Sequence, residues 1–234
     1  MLADWGRRLG ILRRPVLAAP EAYALWAETY PARPHNPLME VEQGIVAPII
    51  AALRPVRALD AGTGTGRYLR LLADAGAELV VGVDRSLPML RRRDADAPVL
   101  CGDACHLPFA DARFDLVCSS LMAGDLRDLG GWISEASRVL QPGKHLVYSD
   151  FHPSWASKGW RRTFRAADGR TYELAYSPHS IDEHLARMAE AGLKVQIIRE
   201  PRPARRGEPV VVVFHAVKAA ATRPSEVGVA PQAT

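Results

Sequence analysis

The stretch Arg57–Gly76, RALDAGTGTGRYLRLLADAG, puts three glycines within five positions, between a short apolar run and a segment of helical periodicity. Glycine tolerates left-handed backbone and has no side chain to hold a ligand off. Gly62, Gly64 and Gly66 can therefore turn a strand sharply into a helix whose free amides face outward. The flanking rhythm extends this unit. VRALDA, the Val-rich AELVVGVD, APVLCGD, RFDLVCSSL and KHLVYSD read as strands, separated by the helices GRYLRLLADAG, SLPMLRRRDA and GWISEASRVLQPG. Ser86 is placed to cap the second of these helices, and Pro142-Gly143 is expected to stop the third. Strands alternating with helices at this spacing imply right-handed crossovers and a mostly parallel sheet covered on both faces.

Either side of this block the pattern differs. Upstream, EAYALWAETY and LMEVEQGIVAPIIAALRP have apolar residues at helical spacing and flank an extended PARPHNP. Downstream of Asp150 comes an aromatic-rich segment, in which Asp168-Gly169 between two β-prone runs predicts a hairpin over the sheet edge. Ser180 and Glu183 then open a helix as a capping-box pair. LKVQIIRE and PVVVVFHAVK follow, joined by a loop too short for a crossover helix, so these last two strands must be antiparallel. At 234 residues and 48% hydrophobic composition, one core is expected. The organisation is read as a flexible arm (1–20), one domain (21–218) with a helical cap (21–54) and a lid insertion (151–180), and a disordered tail (219–234).

The net charge of +4 rests on 26 arginines and 4 lysines scattered along the chain, which does not describe a nucleic-acid surface. No run approaches about 18 consecutive apolar residues, so a soluble, cytoplasmic protein is expected. Cys101, Cys105 and Cys118 lack paired spacing, which argues against both a disulfide framework and a zinc knuckle.

Asp84 ends the second strand 22 residues after Gly62, where a carboxylate can accept from two vicinal ribose hydroxyls. Both NAD and S-adenosylmethionine carry such a ribose. The dinucleotide fingerprint is G-x-G-x-x-G, whereas here the third glycine comes one residue early and no P-loop lysine follows. Asp60, just ahead of the loop, suits a ligand with an amino-acid end and a positive sulfonium.

ALDAGTGTG, VVGVDRSLPML, CGDACHLPF, FDLVCSSL and RVLQPGKHLVYSD together resemble the motifs of the class I S-adenosylmethionine-dependent methyltransferases. The likeness is to the small-molecule group that includes ubiquinone/menaquinone C-methyltransferases and malonyl-carrier-protein O-methyltransferases, and it covers about residues 21 to 218 by element order. The resemblance implies an α/β, Rossmann-like, seven-stranded, mostly parallel sheet with an antiparallel last strand. It also implies site roles. Asp60, Gly62, Thr63, Gly64 and Gly66 would lie against the methionine moiety, and Asp84 with Arg85 against the ribose. Met89 would pack on the adenine, Asp103 and the Ala104 amide would read its edge, Leu121 would wall the site, and Tyr30 would close over the methionine end.

Methyl transfer is an in-line displacement that gains much from alignment. If the acceptor needs a base, His152 with Asp150 at the end of the fifth strand is the first candidate and His35 the second, with His179 third. No metal is expected. Ser119-Ser120-Leu121-Met122 stands where base-modifying amino-methyltransferases have a [DNS]-P-P-[YFW] motif, which argues against nucleic acid. Arg161, Arg162 and Arg165 could bind a phosphate or carboxylate. Trp155, Trp160, Phe164, Tyr172 and Tyr176 suggest a lid over an aromatic or lipid-like acceptor. The expected protein is thus a methyltransferase, monomeric or homodimeric, with a small-molecule acceptor and no nucleic-acid or membrane partner. The alternatives are a cofactor-binding protein of the same fold that does not transfer methyl and, third, an NAD-dependent oxidoreductase.

Overall fold

The computed structural model describes residues 14–202 and 207–220. Residues 1–13 of the expected arm and 221–234 of the expected tail lie outside the described residues. The chain enters through strand β1 (Val16–Leu17), helix α1 (Ala19–Trp26) and helix α2 (Pro37–Leu53). An alternating block follows: β2 (Arg57–Ala61), α3 (Arg67–Asp74), β3 (Leu79–Asp84), α4 (Leu87–Arg91), β4 (Val99–Cys101), β5 (Phe114–Ser120), α5 (Leu129–Val139) and β6 (Leu140–Phe151). The lid segment contributes α6 (Ser154–Ser157), β7 (Arg162–Arg165) and β8 (Thr171–Leu174), and the domain ends with α7 (Ile181–Glu190), β9 (Leu193–Arg199) and β10 (Val211–Lys218).

Seven strands form one sheet in the order β4-β3-β2-β5-β6-β10-β9. The pairs from β4 through β6 are parallel, and β10 is antiparallel to both β6 and β9. The carboxyl ends of β2, β3, β5 and β6 therefore share one edge, where open α/β sheets bind ligands. Two cores cover the sheet. One face packs Met39, Val46 and Ile50 of α2 with Leu69 and Leu72 of α3. The other packs Trp132 and Ile133 of α5 and Met188 of α7 against Tyr148 and Phe214.

Side-chain caps fix where helices start. Asn36 caps α2 by accepting from the Met39 amide at 3.0 Å, with Pro37 preset at the first helical position. Ser86 caps α4, and the Ser180 hydroxyl accepts from the Glu183 amide at 3.1 Å. The Glu183 carboxylate turns instead to His179, 3.3 Å away, so only half of the expected capping box forms.

Two expectations shift. Helix α5 ends at Val139, three residues before Pro142, because its last carbonyls already have partners. Lys218 Nζ donates to Ser137 O and Leu140 O at 2.7 and 2.8 Å, and the amides of Ala112 and Arg113 donate to Arg138 O and Val139 O. Pro142-Gly143 lies instead within β6, near a register shift opposite β5. The end of the expected arm is also a strand, since Val16 and Leu17 pair in parallel with Glu173 and Leu174. The predicted Asp168-Gly169 hairpin is the β7–β8 pair, so β1, β7 and β8 make a second, three-stranded sheet. Its own small core joins Leu17 and Ala22 to Phe164, Ala166 and Leu174.

One buried carboxylate fastens α2 to the sheet. Glu42 is fully buried, and its Oε1 accepts from the Tyr68, Ser149 and Ser120 hydroxyls at 2.6, 2.6 and 2.9 Å. Its Oε2 pairs with Arg67 Nη1 at 2.9 Å. Removing one member of a buried pair strands the other charge in low dielectric. Glu42→Ala should accordingly lower stability by about 3–5 kcal/mol in urea unfolding, and a loss under about 1 kcal/mol would show that the cluster does not hold the helix.

Candidate active site

The chain turns from β2 into α3 through the glycine loop. The amides of Gly62 and Thr63 donate back to Val83 O at 2.8 and 3.0 Å, and the Thr65 hydroxyl donates to Pro31 O at 3.3 Å. Gly62 and Gly64 have φ of +73° and +56°, a region costly for residues with a Cβ. A Cβ on Gly62 would stand 2.6 Å from Met122 Sδ, whereas one on Gly64 would meet nothing within 4 Å. Gly62 is thus required by protein packing, and Gly64 opens the loop to the space in front. Gly66, at φ +89°, is the residue from which α3 starts.

That space is a cavity of about 460 Å³, within the range of small-molecule sites. On one side it is lined by Asp60, Gly62, Thr63, Gly64, Asp84, Arg85, Met89 and Ala104. Asp84 is fixed by two amides: its Oδ2 accepts from Gly64 N at 2.8 Å and its Oδ1 from Ser86 N at 2.7 Å. A carboxylate has about four lone-pair positions, so each oxygen keeps capacity for a ligand hydroxyl. Burial pushes the Asp84 carboxyl above its ordinary range. Asp60 is buried more deeply, and burial raises its carboxyl to about 7. Its Oδ1 takes a long contact from the Cys118 thiol at 3.8 Å, and its Oδ2 has no partner among the described residues.

Leu121 closes this side just past β5 in a left-handed conformation, φ +56°. Its amide is held by Ser149, to the carbonyl at 3.1 Å and the hydroxyl at 3.2 Å. A non-glycine residue at positive φ persists only where its surroundings over-determine it, and such residues gather at functional sites.

The other side of the cavity is aromatic. Trp26 stacks on Phe164 at 4.8 Å and meets Tyr30 edge-on at 4.8 Å, and Tyr30 meets His35 edge-on at 4.9 Å. Phe151 and Trp155 face this group from β6 and α6, and both line the cavity. Asp125, also in the lining, is on a 3₁₀ turn (Ala123–Asp125) after β5, where it accepts from the Tyr23 hydroxyl at 2.7 Å and pairs with Arg162. The guanidinium of Arg162 lies 4.3 Å from the centre of the Phe151 ring.

Several expected site residues lie elsewhere. Asp103 is not in the lining, since its Oδ1 accepts from Cys105 N at 2.9 Å, although the neighbouring Gly102 and Ala104 reach the cavity. His152 is held away from it, with Nε2 at 2.8 Å from Glu200 Oε2 and Nδ1 at 2.8 Å from the Ser154 hydroxyl. Asp150 is buried behind the wall, where its Oδ1 accepts from Gly124 N at 3.1 Å and from Phe151 N at 2.8 Å. That contact holds the turn bearing Asp125. Of the three histidine candidates only His35 lines the cavity, and burial lowers its pKa. His179 is committed to Leu126 O at 2.9 Å. Of the five lid aromatics only Trp155 lines it, while Phe164 belongs to the small core and Trp160 is exposed. Tyr23, Trp26 and Arg67 had read as helix residues, and nothing in their spacing distinguishes a cavity wall from a packed face. Among the described residues no group of three or more His, Cys, Asp or Glu is arranged to hold a metal, and no helix is long and apolar enough to cross a membrane.

Residues 59–148 match the family model described as a methyltransferase domain. A malonyl-[acyl-carrier protein] O-methyltransferase of Pseudescherichia vulneris is 32% identical over 158 residues, covering 63% of this chain and 61% of that protein. A demethylmenaquinone methyltransferase of Renibacterium salmoninarum is 38% identical over 115 residues, covering 47% of this chain and 48% of its own. The chain therefore spans about half to three fifths of the length of these relatives. In fold, an S-adenosylmethionine-dependent methyltransferase of Mesorhizobium loti superposes with a TM-score of 0.60 at 22% identity, over 73% of this chain and 96% of that one. By its sheet order and glycine loop the chain has the fold of the S-adenosylmethionine-dependent methyltransferase it superposes on, and residues 59–148 carry a methyltransferase domain.

Proposed function

We propose that this chain transfers the methyl group of S-adenosylmethionine to a small-molecule acceptor. The observation that carries the reading is that one cavity contains both the nucleoside-type site of the glycine loop and Asp84 and an aromatic chamber next to it. The residues present fit the cofactor. Gly64 leaves open the space a ligand would occupy, both Asp84 oxygens retain accepting capacity, and the unpartnered Asp60 oxygen suits a cationic amino group. When bound, S-adenosylmethionine supplies a methyl group on a sulfonium whose leaving group is a neutral thioether.

The chain's own residues do the remaining work. Asp84 holds the ribose hydroxyls, and Met89 with Ala104 borders the base. Asp60, Gly62 and Thr63 take the methionine end, with Tyr30 beside them. Leu121 and Met122 form the wall on the β5 side. The aromatic chamber keeps water out and aligns the acceptor, which can supply a large part of the acceleration in a displacement of this kind. Where the acceptor must lose a proton, His35 is the histidine in the lining that can take it, and partial desolvation lowers its pKa and so favours its neutral form. Asp150 acts at one remove by positioning the Gly124 turn, and His152 anchors the lid to Glu200.

Asp84→Ala should weaken S-adenosylhomocysteine binding by about a hundredfold in calorimetric titration, since hydrogen bonds to a charged group contribute about 1.5–3 kcal/mol each. Unchanged affinity would remove Asp84 from the site. The Asp60 carboxyl at about 7 sets a pH dependence as well. Its protonated form cannot pair with the ligand ammonium, so affinity should rise up to about tenfold per unit as pH increases towards 7 and level off above it. Asp60→Asn should bind weakly with a flat profile. A wild-type profile that is flat between pH 5.5 and 7.5 would contradict this pairing.

A further inference from the structure

The acceptor side of the cavity has one feature that an apolar binding chamber does not need. Asp125 and Arg162 form an ion pair whose side chains are only 6% and 12% exposed, set in an aromatic wall. Burying two charges is costly before their attraction is counted, and hydrophobic side chains of similar volume would fill the wall as well. Each Asp125 oxygen accepts one bond from the wall itself, Oδ1 from Arg162 and Oδ2 from the Tyr23 hydroxyl. Arg162 spends one N–H on Asp125 and one on Tyr23 Oη, at 3.0 Å, out of the five a guanidinium carries. Tyr23 likewise donates its proton to Asp125. Arg162 therefore keeps N–H donors for a ligand while Asp125 and Tyr23 hold its guanidinium in place. Arg161, held by Glu173 at 2.9 Å, adds a second guanidinium to the lining.

We propose that Arg162 recognises a carboxylate on a planar, apolar-bodied acceptor, with Asp125 and Tyr23 fixing the guanidinium in its fork. The stacking of Arg162 over Phe151 sets the plane in which that fork lies. A bidentate guanidinium–carboxylate contact fixes orientation as well as affinity. The body of the acceptor lies between Trp26 and Tyr30 on one side and Phe151 and Trp155 on the other. The anion thereby determines which atom of the acceptor faces the donor side, so Arg162 is a specificity-determining residue. This inference rests on the donor site assigned above, because that site defines which side of the cavity is left for the acceptor.

The test uses the whole chain loaded with S-adenosylhomocysteine, titrated with 2-naphthoate and with its neutral counterpart 2-naphthamide. 2-Naphthoate should bind at least about tenfold more tightly. That preference should vanish in Arg162→Gln and equally in the double variant Asp125→Asn/Arg162→Gln, which leaves no unpaired buried charge and so guards against misfolding of the single one. Equal binding of the two probes, binding of neither, or a preference that survives both variants would overturn the proposal. The donor assignment is read separately from S-adenosylhomocysteine itself. If that ligand fails to bind, the donor reading falls, and the naphthoate preference measured without it still decides whether Arg162 takes carboxylates.

Discussion

Glu42 is the interaction on which the rest of the arrangement depends. It lies on α2, fully buried, and joins Tyr68 and Arg67 of α3 to Ser120 at the end of β5 and Ser149 near the end of β6. Three hydroxyl donors and a guanidinium satisfy a group that would otherwise be among the costliest to bury. The geometric result reaches the site directly. Arg67 opens the helix after the glycine loop, Ser149 also holds the strained Leu121, and α2 brings with it the Tyr30–His35 segment that borders the cavity. A single carboxylate therefore sets the distance between the helical cap and the carboxyl edge of the sheet.

The two sides of the cavity are built from parts of different rigidity. The donor side rests on strand ends, with Asp60 and Asp84 closing β2 and β3 in the middle of a seven-stranded sheet. The acceptor side is shared between the sheet edge at Phe151 and a smaller unit of α1, β1, β7 and β8 with its own core. Elements with small cores open at lower free energy than the main fold. The Arg162–Asp125 pair and the Tyr23 hydroxyl are the polar links from that unit to the turn after β5, with Trp26 on Phe164 packed behind them.

Much of the fold was legible in the sequence because its signals are local. Apolar periodicity, the Ser86 and Ser180 caps and the short connection before the last strand each act within a few residues, and the structure follows them. The proposed donor site rests on equally local signals, as Asp60, the glycines and Asp84 fall at fixed places along one βαβ unit. What stayed hidden was non-local. Helix α5 ends early because Lys218, some 80 residues away in sequence, caps its carbonyls. Glu42 reads as an ordinary helix-surface acid, since its partners come from three other elements. His152 follows β6 as a base would, yet a 2.8 Å contact with Glu200 turns it away, and nothing local separates Arg162 from Arg161 and Arg165 as an anion-binding candidate until the hairpin folds it onto Asp125.

The loop Asp60–Gly66 is proposed to hold S-adenosylmethionine and not a dinucleotide. The most direct measurement is thermal unfolding of the protein with S-adenosylhomocysteine and, in parallel, with NAD. S-adenosylhomocysteine at a hundred times its dissociation constant should add about 2.7 kcal/mol of stability, with no shift from NAD at the same concentration. Stabilisation by NAD and none by S-adenosylhomocysteine would contradict the account.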